Sequence, residues 1–300
     1  AALHFCWVHP LFIDNLIFPP YCRIGLISSC FISGACSRML LQKAFQSIRE
    51  NRQKAQSFVE LAIVLPILLL ILLGLVEVSF FIARYLDVMD LTREAARFAS
   101  IRDPQLGEPD ATWIPNKYDC QNATPFNFYY HTACIFSPPA NSPMCPAASR
   151  FCNGLNPLVY LDPAVDDVVI KIFTIEGSKN VTHVYPVSPE SLTDGYWAFS
   201  DHDEVDTTHN GNWKRTCNPD DLVTEVTTET HYTKTEVEKE LVTGSPLNKG
   251  FVAIEFFYCY HQVLNLPIAN WFIPNPMRIH AYTLMPLPAA QPYPTPTTGP

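Results

Sequence analysis

The sequence predicts an α+β protein: a long N-terminal transmembrane helix, then an extracytoplasmic, mainly antiparallel β domain with a Cys-rich insertion. Three observations carry this. Residues 61–76 are an uncharged apolar run, and with Glu77 tolerated the apolar character extends to Ala83, about the 20 helical residues that cross a bilayer. Charge is asymmetric around that run. Beyond residue 158, β-branched and aromatic runs recur between turn signals.

The chain has 300 residues and a net charge of −9 with only 16% charged residues, and it holds 27 Pro against 11 Gly. Many stiff, extended connections follow from that ratio. Residues 1–38 are apolar but broken by Pro10, Asp14, Pro19, Pro20 and Arg23. They make a poor spanning helix, because a bilayer cannot replace the donors that proline removes. The chain opens on Ala, and Met39 begins a more sensible leader. We therefore expect residues 1–38 to be upstream, non-native sequence. Residues 39–55 read as a basic cytoplasmic leader, with Lys43, Arg49, Arg52 and Lys54 against Glu50.

Residues 84–300 carry 14 Lys and Arg against 25 Asp and Glu. Positive charge on one side of the span and acidity on the other predicts a single-pass protein, N-terminus cytoplasmic and domain outside. The acidic domain argues against nucleic acid as a partner, since that needs a basic surface. A cleaved secretory signal is the alternative for the span, but the run is long for one and lacks a small-x-small exit site. Helix formers without Pro or Gly continue through residues 84–100. The helix is thus expected over 56–101, with Leu86, Met89, Ala96 and Ala99 on one face and Pro66 bending it without ending it.

Six cysteines follow the span: Cys120, Cys134, Cys145, Cys152, Cys217 and Cys259. In an oxidising compartment they read as up to three disulfides, with 15 connectivities left open. A zinc site is the weaker alternative, since no Cys-x-x-Cys pair is present. Four of the six lie in the irregular Pro-rich stretch 103–158, which reads as an insertion tied down by disulfides.

Strands are expected at residues 168–173 and 181–187, at 251–262 as the strongest of the set, and at 277–285. The alternation of Thr, Val and charge over 222–242 suggests a strand pair. These elements fall in a domain over residues 102–287, and residues 288–300 form a Pro-rich tail. An acidic loop, Asp201-His202-Asp203-Glu204-Val205-Asp206 with His209, resembles a cation site but fails the EF-hand pattern. Glu255 and His261 could share a face of the strongest strand, yet no nucleophile motif accompanies them. No catalytic residue, metal or cofactor is expected. Asn122-Ala123-Thr124 and Asn180-Val181-Thr182 fit a glycosylation sequon, meaningful only in a host that glycosylates.

The sharpest local signal is Ala55-Gln56-Ser57-Phe58-Val59-Glu60, a carboxylate five places after the small residue that ends the basic leader. A lone carboxylate at the mouth of a membrane span is costly, and a chain that carries it uses it. The spacing suits a prepilin peptidase, which cuts on the cytoplasmic side and leaves the helix attached. Cleavage after Ala55 would free an amine at Gln56, and Glu60 could pair with the amine of a neighbouring subunit.

From Gln56 to Ser100 the sequence resembles the TadE-like pseudopilin family of the tight-adherence pilus machinery. The shared positions are Val59-Glu60, Val64-Leu65-Pro66, Gly74, Glu77-Val78 and Ala95-Ala96-Arg97. Ala55 departs from the Gly usual there. Residues 252–287 bear a weaker likeness to the family's closing β segment. The resemblance implies a pilin-like helix and a role in assembling a Flp-type pilus at the cell surface of a bacterium. The implied partners are other pilins or pseudopilins and a prepilin peptidase, with Glu60, Pro66, Gly74 and Glu77 as assembly residues. The alternative is a surface-anchored adhesion or binding module with the helix as a simple tether.

Overall fold

Two strands, β1 (Asp167–Ile175) and β4 (Lys249–Tyr260), form the middle of the domain and explain its most apolar sequence. Every residue of β1 is buried, as are nine of the twelve in β4 by its pattern of buried positions. A strand covered on both faces reads as a continuous β-branched and aromatic run rather than as an alternation. The computed structural model describes residues 34–104, 119–122, 126–145, 150–175, 179–186, 194–202, 211–221, 224, 229–241, 249–266, 270 and 273–288, with side chains from residue 58 onward.

The chain divides into two compact units, residues 1–68 and 69–300. In the first, the described residues are helical and belong to α1 (Gly34–Ser100), which continues through Pro66. The leader is therefore helical as well, and the helix begins well before residue 56.

In the second unit a five-stranded antiparallel sheet runs in the order β2-β1-β4-β5, with β2 at Val181–Tyr185 and β5 at Met277–Leu287. A short strand β3 (Trp197–Ala198) pairs with β1 at Val169 and Ile170, beside the stretch that pairs with β2. The register sets Val168 opposite Phe256, Ile170 opposite Ile254 and Ile172 opposite Val252. Those six side chains share the main core with Val88, Leu91, Ala95, Ala96 and Ala99 of α1. The period of three and four along α1 makes that buried stripe. It is shifted from the expected one: Ala96 and Ala99 are buried, Met89 packs partly, and Leu86 is exposed.

Residues 126–136 complete this core. Helix α2 (Phe128–Ala133) is capped by Asn127, whose side chain accepts from the amide of Tyr130, and all six of its residues are buried. Phe128 and Phe136 are fully buried, each stabilising the fold by about 1.5–3 kcal/mol. Within the stretch read as an insertion, residues 128–136 are part of the core. Its disulfides, Cys120–Cys134 and Cys145–Cys152, hold its loops at both ends. Gly154 lies so close to the Ser137 carbonyl that a side chain there would collide with it.

The other sheet face carries Val169, Phe173, Ala253 and Phe257, covered by Trp213 and by Val237 of α3 (Lys234–Glu240). Helix α3 stands where a strand pair was expected. Thr233 accepts from the amide of Glu236, the start of a Thr-x-x-Glu capping signal that the Thr/Val alternation obscured. Cys217–Cys259 fastens the segment before α3 to β4. Removing that crosslink in the double variant Cys217→Ser, Cys259→Ser should cost about 2–4 kcal/mol. Thermal melting should then show a midpoint lower by roughly 4–16 °C.

Candidate functional site: the apolar helix face and the base of the domain

The functional candidates lie along α1, and they separate into two groups. Large apolar residues from Phe58 through Val76 are exposed, among them Ile63, Leu68, Leu72 and Leu75. Among the described residues, one helix is long and apolar enough to cross a membrane, within Phe58–Ser100, and its most apolar window is unburied. Together with its composition this supports a single-pass membrane protein. At 1.5 Å per residue, residues 58–76 span about 28 Å, close to the hydrocarbon thickness of a bilayer.

Glu60 sits on this exposed stretch between Val59 and Leu61, all three exposed. Ala55 and Gln56 are within α1, and their side chains lie outside the described residues. Pro66 is in the helix interior, and among the described residues nothing lies within 4 Å of a side chain added at Gly74.

Glu77 differs from all of these. It is buried, and its carboxylate accepts three hydrogen bonds from the end of β4 and the loop beyond. The Tyr260 hydroxyl donates to Oε1 at 2.9 Å, the Val263 amide to Oε1 at 2.9 Å, and the Leu264 amide to Oε2 at 2.8 Å. A buried carboxylate needs such donors, and bonds to an ionised acceptor are roughly twice as strong as neutral ones. Phe81, one turn along, meets the Tyr260 ring edge-on at 5.5 Å, and Arg84 donates to the Leu158 carbonyl at 2.7 Å. Glu77, Phe81 and Arg84 thereby fasten one face of the helix to the domain. Burial and the Glu77 carboxylate push the Tyr260 phenol up to about 12. The three donors of this clamp were missed in the sequence, where 183 to 187 residues separate them from Glu77.

The remaining polar candidates resolve differently from expectation. Glu255 does not pair with His261, which lies past the end of β4 and is exposed. Its carboxylate accepts from the amides of His231 and Tyr232 and meets His280 Nε2 at 2.7 Å. Beside it on the same sheet face, buried Lys171 donates to the Thr230 hydroxyl and the Tyr232 carbonyl. Asp167 accepts from the amides of Val168, Ser200 and Trp213 and from the Ser200 hydroxyl. Burial pushes its carboxyl up to about 7, while the Ser200 and Trp213 donors oppose the rise. These groups hold loops onto the sheet. Of the acidic loop, Asp201 and His202 form a short 3₁₀ turn (Ser200–His202), and Asp203, Glu204, Val205, Asp206 and His209 lie outside the described residues. Among the described residues no group of three or more His, Cys, Asp or Glu could hold a metal ion.

The clamp has a measurable signature. Glu77→Ala should leave two amides and a hydroxyl without their acceptor, at about 1–3 kcal/mol for each group that stays buried. Hydrogen exchange at Val263 and Leu264 should accelerate at least about tenfold, and Glu77→Gln should fall between the two. Because the Tyr260 phenol is raised in the folded state, stability should decline as pH rises from 10 to about 12. In Tyr260→Phe, pH-dependent melting should lose that part of the decline.

No curated protein and no solved structure matches the chain. A family comparison does: residues 55–97, from the last residue of the basic leader to the domain-packed part of α1, match the model of the TadE-like protein family.

Proposed function

We propose that the protein is a membrane-anchored pseudopilin that takes part in assembling a tight-adherence, Flp-type pilus. The observation that carries this reading is the TadE-like match over residues 55–97, which suggests a protein related to the Tad pilus. The exposed apolar stretch of α1 supports it, since an uncovered helix face in a bilayer is free to pack against other pilin-type helices. The open space at Gly74 is where such a contact could come closest.

In this reading the N-terminus is cytoplasmic and the disulfide-bonded domain is outside, as the basic leader and acidic domain favour. A prepilin peptidase cuts between Ala55 and Gln56, and Glu60 pairs with the new amine of a neighbouring subunit. That pairing offsets the cost of holding a carboxylate near the membrane interior. The role is structural, and no reaction is assigned to the domain.

Glu60→Ala should leave membrane insertion and the domain's disulfides intact while abolishing pilus assembly in cells. Normal piliation in that variant would count against the proposal. N-terminal sequencing of the mature protein should begin at Gln56. Replacing residues 56–83 with an unrelated span discriminates a tethered adhesin, which should keep its surface binding, from a pseudopilin, which should lose assembly.

A further inference from the structure

Beside the Glu77 clamp, the base of the domain carries an exposed apolar surface. Between Glu255 and Arg278 the sequence has no Asp, Glu, Lys or Arg, in a domain otherwise rich in acid. Val263 is 52% exposed and Ile273 42% exposed on this stretch. Beside them opens a cavity of about 250 Å³ lined by the clamp residues Glu77, Phe81 and Tyr260 and by Val78, Gln262, Ile273, Pro274 and Met277.

The Glu77 clamp sets the height of this surface. Glu77 follows the last residue of the exposed apolar stretch by one position, and it binds the amides of Val263 and Leu264 directly. The exposed apolar residues between Leu69 and Val76 lead directly to Glu77, so the loop bonded to it lies beside the end of that stretch. On α1 itself, Val78, Phe80, Ile82 and Tyr85 stay exposed past that level, so apolar surface continues from the span onto the domain base. An acidic domain is repelled by an anionic membrane, and this uncharged base is the face that can approach one.

We propose that this base docks on the bilayer, with Val263 and Ile273 inserted in the headgroup–acyl boundary and a phospholipid seated in the cavity. The lipid's glycerol and upper chain cover the apolar walls. The domain is then held against the membrane at two places, the helix and the loop. This rests on the membrane-anchored part of the proposed function and not on its pilus role.

The test uses the full chain in nanodiscs of phosphatidylethanolamine and phosphatidylglycerol, with a benzophenone amino acid placed singly at Ile273, Leu69 or Met144. Leu69 reports the span, and Met144 is an exposed control on the disulfide-bonded segment. Lipid adducts at Ile273 should exceed those at Met144 by at least about tenfold. Adducts at Leu69 with none at Ile273 would overturn the docking and leave the anchor standing. Loss at both would overturn the anchor as well, and an adduct between two copies at Ile273 would assign the surface to a second chain.

Discussion

One buried carboxylate couples a membrane helix to a folded domain in this protein. Glu77 lies in the interior of a helix whose backbone groups are already paired, so its charge is available to groups from elsewhere. It takes the phenol that ends β4 and the two amides of the loop that follows. Each of those donors would otherwise be left near the boundary between an apolar span and a β domain, where unpaired polar groups are costly. Together with Phe81, Arg84 and the buried stripe of α1, that acceptor fixes where the domain leaves the helix.

Above the clamp, the central strands explain how an apolar helix and an acidic, loop-rich domain share one unit. With β1 and β4 covered on both faces, α1 and α2 occupy one side and the Trp213 segment with α3 the other. Covering the second face buries charge: Asp167, Lys171 and Glu255 are all held there by loop donors or acceptors. Such groups favour one arrangement of the loops over others, because a shifted loop would leave a buried charge unpaired. The Cys217–Cys259 disulfide acts on the same face and to the same effect.

Much of the plan was legible in the chain. The span, the four main strands and the disulfide character of the six cysteines beyond the span each rest on a local signal: hydropathy length, β-branched runs, or an even cysteine count. Where the reading failed, two local signals competed or none existed. At residues 234–240 the Thr/Val alternation hid a helix whose cap, Thr233, is visible only as a short pattern. For residues 126–136, composition indicated an irregular stretch, while Phe128–Ala133 is helical and Phe128, Tyr129 and Phe136 are buried in the core. Leu86 was placed on the packed face of α1 and is exposed, because the helical period leaves the phase of the stripe to the partner it meets.

The amino-acid sequence by itself determined the apolar span, the charge asymmetry around it and the order of helix and strands. These are properties of neighbouring residues, and local chemistry decides them. Only the tertiary structure decided which cysteines pair, which face of α1 is covered, and what Glu77 does. In the sequence Glu77 is a tolerated charge near the end of a span, of the same kind as Glu60. Folding brings Tyr260, Val263 and Leu264 to one of these carboxylates, and the other stays on the exposed apolar face. The difference arises from contacts across more than 180 residues, which no local pattern encodes.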